Sequence, residues 1–321
     1  MEALKTINAW ERCLNQKVSC EDITWAIIDN GIDHAHRALV NSKIIDINYT
    51  DESPLGMHGT FVAGIISGWD PERPFSGVAP KCQLYNFKVY KKESSWVSMT
   101  IKAMDEIRKI NEQAGKMVIH GVNISMGVSN EMNIKSFRAG HSPLCEAANL
   151  LVESGVVVVV AAGNYGAQAF IVPETEEETK IWAGFMPMSI TDPGNAELPI
   201  TVGSTHKLFP EKYGISAFSS KGPTGDGRIK PDLVAPGEEI FSAIINDEYA
   251  ETSGTSAATP FVSGVAAHLI HVYPELIGQP KVIKEILIAS CCDLKRVPFF
   301  QGAGLIDLEK ALVVARDYII K

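Results

Sequence analysis

No stretch of this chain approaches the run of about 18 apolar residues that a membrane-spanning helix requires. The first 25 residues carry Glu2, Glu11 and Arg12 where a secretion signal would have an apolar core. Membrane insertion and export are therefore not expected. Basic residues are in deficit: 29 Lys and Arg stand against 38 Asp and Glu, a net charge of −9. Nucleic-acid binding rests on neutralised phosphates, so an acidic chain with no basic stripe argues against that class. The six cysteines (Cys13, Cys20, Cys82, Cys145, Cys291, Cys292) show no CxxC pair and no metal-ligand spacing, and the adjacency of Cys291 and Cys292 disfavours a bridge between them. Reduced thiols in the cytoplasm are the expectation. Low-complexity tracts and solenoid periods are also missing. So are the GxxxxGK[ST] loop of phosphate-binding enzymes and the GxSxG elbow of α/β-hydrolase esterases.

What the chain does have is alternation. Apolar runs of strand length, "ITWAII" (23–28), "QLYNFKV" (83–89), "KMVIHGVNISM" (116–126), "LPITVG" (198–203) and "EIFSAI" (239–244), are separated by segments of helical spacing. Helices are expected near 59–68, 98–114, 143–154, 255–273, 280–290 and 307–318. Five consecutive valines at 156–160 imply a strand covered on both faces, as in a parallel sheet. The fold class that follows is α/β: a three-layer, doubly wound, mostly parallel sheet with helices on both faces. No linker divides the chain. One domain over 23–321, preceded by a short N-terminal extension over 1–22, is the expected organisation.

In such sheets reactive residues gather outside the carboxyl ends of the strands. Asp29 follows "WAII", Ser125 follows "VNI" and Asn164 follows "VVVVVAAG", while His58 sits in "GMHGTF" and Ser256 in "SGTSAATP". Each has an ordinary reading alone, as a turn former or a helix cap. Together they supply what nucleophilic catalysis at a serine needs: a base, a carboxylate to hold that base, and a donor for a developing oxyanion.

The blocks "AIIDNGID", "HGTFVAGIISG", "AAGN" and "SGTSAATPFVSG" occur in the order Asp, His, Ser, with "GVAP", "VNISMG", "ITVGS", "FSSKGP" and "IKPDLVAPG" as connectors. In this the chain resembles the subtilisin-like serine proteases, over roughly residues 23 to 310. The resemblance implies a triad of Asp29, His58 and Ser256, with Asn164 donating to the oxyanion beside the Ser256 N–H. It implies that Ser125, Met126 and Gly127 pair with the substrate backbone, Gly127 leaving a pocket floor open and Tyr165 lining its rim. Pro260 is expected where losing a backbone donor costs little, near the end of the helix's first turn. The implied partner is a peptide or protein substrate, with no cofactor and no metal. An inhibitor or regulator inside the cell is left unidentified. The competing function is a catalytically silent relative that binds peptides.

Three departures from the family carry expectations of their own. Ala38 stands in "DHAHRAL" where many relatives place a calcium-binding carboxylate, and Asp70 and Glu72 read as solvated loop charges. Only 28 residues precede Asp29, too few for a folded pro-domain, though enough for a short inhibitory tail. Residues 171–189 read as an inserted loop. Its acidic Glu174, Glu176, Glu177 and Glu178 would favour substrates with Lys or Arg near the cut.

Overall fold

A computed structural model describes residues 2–15, 18–49, 56–89, 96–128, 138–173 and 179–320, with the backbone alone for Asn15, 168–173 and 179–183. Its strands are β1 (Thr24–Asp29), β2 (Ile44–Asn48), β3 (Trp69–Asp70), β4 (Phe75–Ser76), β5 (Gln83–Lys88), β6 (Gly121–Ile124) and β7 (Val157–Ala161), then β8 (Ala167–Pro173), β9 (Thr179–Phe185), β10 (Ile200–Thr205), β11 (Leu233–Pro236), β12 (Ile240–Ile244) and β13 (Glu248–Thr252). The α-helices are α1 (Glu2–Thr6), α2 (Met57–Ser67), α3 (Trp96–Ala114), α4 (Pro143–Glu153), α5 (Pro210–Tyr213), α6 (Thr255–Val272), α7 (Pro280–Ser290), α8 (Pro298–Gln301) and α9 (Leu308–Ile319).

Seven strands pair in the order β11-β10-β7-β6-β1-β5-β2, every neighbouring pair parallel. The valine run is β7, buried along its whole length between β6 and β10. Successive side chains of a strand face opposite sides, and the two cores divide on that rule. Trp25, Ile27, Val157 and Val159 pack with α2, α6, α7 and α9 on one side. Ala26, Ile28, Val158 and Val160 pack with Met104 and Ile107 of α3 and Leu151 of α4 on the other. The three-layer α/β architecture expected from the alternation is the one observed.

Differences from the expected elements lie at the periphery. The edge strand β2 is half-buried, without the continuous apolar run that marks β1 or β7. "EIFSAI" does form a strand, but β12 pairs with β13 in a separate antiparallel ribbon outside the central sheet. The segment expected as an inserted loop is instead an antiparallel hairpin, β8 pairing with β9 from Ala167↔Phe185 to Pro173↔Thr179. The arms "AQAFIVP" and "TKIWAGF" carry β-branched and aromatic residues suited to strands, a signal that the acidic run between them in sequence obscured. Glu174, Glu176, Glu177 and Glu178 lie outside the described residues.

The described N-terminal segments, 2–15 and 18–20, add Ala3, Leu4, Ile7, Ala9, Cys13 and Cys20 to the same core as Trp25 and Val262, and the N–H of Leu308 donates to Ile7 O at 2.9 Å. All six cysteines are unpaired. Asp70 is corrected from a solvated charge: it is 2% exposed and accepts from the Tyr249 hydroxyl at 2.6 Å. No helix among the described residues is long and apolar enough to cross a membrane.

Candidate active site

From β1 the chain first adds β2 and β5 on one side, then returns to place β6, β7, β10 and β11 on the other. The β1/β6 boundary is thus the point where the winding reverses, and there a crevice opens outside the strand ends. Asp29 closes β1 and Ser125 follows β6 at this boundary. A cleft of about 580 Å³ lies here, and all eight residues singled out from the sequence line it: Asp29, His58, Ser125, Met126, Gly127, Asn164, Tyr165 and Ser256. Asn30, Ala161, Gly163, Thr191 and Thr255 complete the lining.

His58 is the second residue of α2, whose start is held against the turn after β1. Gly59 N–H donates to Asn30 Oδ1 at 2.9 Å. A Cβ at Gly56 would strike Asn30, and one at Gly59 would strike the Gly31 carbonyl, so both positions need the bare backbone. This close approach brings His58 Nδ1 to 2.9 and 2.8 Å from the two oxygens of Asp29. Asp29 is 1% exposed and also accepts from the Asn30 N–H at 2.7 Å. The buried carboxylate raises the His58 pKa, against the opposing effect of burial. With Nδ1 engaged, Nε2 is the ring nitrogen free to act as a base.

Ser256 is the second residue of α6, a helix of small and apolar residues buried on all sides over most of its length. Asn164 Oδ1 accepts from the N–H and hydroxyl of Thr255 at 2.9 and 3.0 Å, which fixes the amide and directs Nδ2 toward the nucleophile. The position that a Cβ on Gly254 would take is 3.0 Å from Ser256 Oγ, 3.3 Å from Asn164 Nδ2 and 3.7 Å from Ser256 N. One open point thus lies close to a hydroxyl and an amide nitrogen, with the Ser256 backbone nitrogen just beyond, beside the positive end of a helix.

Pro260 has a larger consequence than the sequence reading allowed. It is the sixth residue of α6, and the N–H it lacks would have bonded to the carbonyl of Ser256. The Ser125 hydroxyl supplies that bond instead, donating to Ser256 O at 3.0 Å. Ser125 itself accepts from Asn123 Nδ2 at 2.8 Å, and Asn123 Oδ1 accepts from the Ser263 hydroxyl at 3.0 Å. The side chain of Ser125 thus turns inward at 4% exposure.

The floor at Gly127 is also less open than expected. A Cβ there would run into the Thr191 side chain, as would one at Gly163. Thr191, 3% exposed, fills the gap between these two backbone segments. Nothing in "SITDPG" marks it, because its place depends on a contact between distant segments. Tyr165 is 39% exposed at the cleft, and its N–H donates to Ser220 Oγ at 3.0 Å. Among the described residues no group of three or more His, Cys, Asp or Glu is arranged to hold a metal ion.

The profile of the subtilase family (Peptidase_S8) matches residues 21–304. The chain is 31% identical over 301 residues to the major intracellular serine protease of Bacillus subtilis, covering 90% of this chain and 80% of that protein. It is 28% identical over 312 residues to the subtilisin-like protease SBT6.1 of Arabidopsis thaliana, covering 92% of this chain but only 26% of the longer plant protein. Among solved structures, the CspB protease of Clostridium perfringens shares the fold with a TM-score of 0.79 at 19% identity, covering 98% and 99% of the two chains. The prenylagaramide maturation protease PagA does so with a TM-score of 0.70 at 24% identity and the same coverage.

Proposed function

The chain belongs to the subtilase family, and from that membership we propose that it cleaves peptide bonds as a serine endopeptidase through Ser256, His58 and Asp29. Ser256 Oγ attacks the scissile carbonyl carbon while His58 Nε2 takes its proton. The C–N bond then breaks, His58 returns the proton to the leaving amine, and an acyl-enzyme remains on Ser256. Water, deprotonated by the same histidine, attacks the ester and releases the second product. Asp29 holds the imidazole by Nδ1 and stabilises the imidazolium. The observation that carries this reading is the open space beside Gly254, 3.0 Å from the nucleophile Oγ and 3.3 Å from Asn164 Nδ2, with the Ser256 N–H at its edge.

In this reading residues 23–321 are the peptidase domain, and residues 1–22 are an extension docked on it. The enzyme acts in the cytoplasm on peptide or protein substrates, and a dedicated role in maturing a precursor peptide is the narrower form of the proposal. The test is labelling by a fluorophosphonate probe together with cleavage of casein and short peptides. Ser256→Ala should abolish both while the fold persists, since Ala is readily accepted in a helical first turn. Peptide binding without labelling or cleavage by the wild type would favour the silent peptide-binding relative.

A further inference from the structure

One block of the sequence, "FSSKGP", has no part in this chemistry, yet it contains a buried lysine. Lys221 is 1% exposed. Its ammonium donates to three backbone carbonyls, Ser219 O at 2.7 Å, Ala217 O at 3.0 Å and Gly166 O at 3.2 Å. It also lies 4.8 Å from the ring centre of Phe185 and 5.2 Å from that of Phe300, a cation–π arrangement. Among the described residues no carboxylate pairs with it. Its main chain is fixed as well, since Lys221 N donates to Ser189 Oγ and Ser189 N to Lys221 O, each at 2.8 Å.

The bond to Gly166 matters because of where Gly166 sits. It follows Asn164 and Tyr165 of the cleft and precedes β8, and its carbonyl also accepts from Met186 N–H just beyond β9, at 3.0 Å. The 218–221 segment buttresses this wall throughout. Ser220 N donates to Gly163 O at 2.9 Å and Gly166 N to Phe218 O at 2.8 Å.

We propose that Lys221 is a positioning residue for substrate binding, whose ammonium ties Gly166, at the far end of the cleft wall, and the base of the β8–β9 hairpin into the arrangement an extended peptide requires. The ammonium touches none of the reacting atoms, and Asn164 is held separately by Thr255 at 2.9 and 3.0 Å, so removal of the ammonium should act on peptide affinity and spare the chemistry. Burial lowers the Lys221 pKa to about 8. The described groups that face the ammonium are carbonyls of the 217–219 and 166 segments and the rings of Phe185 and Phe300, with no charged side chain among them. Raising the pH through this value removes the positive charge and one of the three donors.

The inference rests on the serine-protease reading, and its test separates the two. Wild type, Lys221→Met and Lys221→Arg are compared on an internally quenched casein-derived peptide that wild type cleaves, on p-nitrophenyl acetate, and in fluorophosphonate labelling. For Lys221→Met the peptide KM should rise about tenfold, the loss of charge-assisted bonds. Ester turnover and labelling rate should stay within about twofold of wild type, as neither small reagent extends past Asn164 to Gly166 and the hairpin. The wild-type peptide KM should climb as pH passes about 8, and the rise should vanish in Lys221→Arg, whose guanidinium stays charged. An unchanged peptide KM in folded Lys221→Met, or equal losses on peptide and ester, overturns the proposal. Should Lys221→Met not fold, parallel KM–pH curves for wild type and Lys221→Arg overturn it. Absence of labelling in the wild type is a different failure, that of the protease assignment.

Discussion

Replacing Ser125 by Ala should loosen the backbone of the nucleophile itself. The hydroxyl donates to Ser256 O at 3.0 Å and accepts from Asn123 Nδ2 at 2.8 Å. Its removal leaves the Ser256 carbonyl and the buried Asn123 amide without this partner. Each such group costs roughly 1–3 kcal/mol, so a total of roughly 2–4 kcal/mol is expected after partial relaxation. The origin of that cost can be isolated, because Ser125 substitutes for a donor that Pro260 removed. Pro260→Ala restores an N–H one helical turn beyond Ser256, aimed at the same carbonyl. In the Pro260→Ala background, Ser125→Ala should therefore cost about 1–2 kcal/mol less, the remainder belonging to Asn123. The assay is urea unfolding of the four members of the cycle, all carrying Ser256→Ala to prevent self-digestion, with m-values checked for constancy. Costs for Ser125→Ala that agree within about 0.5 kcal/mol in the two backgrounds would refute the compensation between Ser125 and Pro260.

The remaining predictions concern the cleft and its surroundings. Because Asp29 raises the His58 pKa above its ordinary 6.5, and only neutral imidazole accepts the Ser256 proton, kcat/KM should fall with acid around a midpoint above 6.5. Asp29→Asn should move that midpoint down, and an unmoved acid limb would assign it to another group. The same raised pKa adds stability below the unfolded value that disappears as pH rises through the folded one. Gly254→Ala should retain the fold, since φ of 163° is extended backbone, but it should depress kcat by placing a methyl among Ser256 Oγ and Asn164 Nδ2. Asn164→Ala should reduce turnover about 10²–10³-fold, a size taken from the corresponding asparagine of a subtilisin; an unchanged kcat would remove Asn164 from the oxyanion site. Thermal melts in calcium and in excess chelator should coincide, because Ala38 offers no side-chain ligand and the adjacent Arg37 is bonded to Asp247 at 2.9 Å. A large fall in chelator would reveal a cation site.

How much of this was legible in the sequence depended on whether the signal was local. Five valines can be read as a doubly covered strand because the pattern and its cause lie in the same few residues. The grouping of Asp29, His58, Asn164 and Ser256 was legible for a different reason: each sits at or just beyond a strand end or at a helix start, so the winding of the sheet delivers it to one crevice. The glycines were legible only as small residues. What they admit became visible with the structure, where Gly56 and Gly59 let α2 close on the Asn30 turn and Gly127 makes room for Thr191. Thr191 had no signal, as its role depends on two distant segments meeting. Pro260 was misjudged because the rule for helix starts counts unpaired N–H groups, whereas the consequence lay with the carbonyl four residues earlier. That carbonyl belongs to Ser256, and its partner comes from the end of β6, 131 positions away in sequence. The proline therefore couples the helix carrying the nucleophile to the cleft wall. A helix satisfying all its own carbonyls would not need the Ser125 hydroxyl to hold it there.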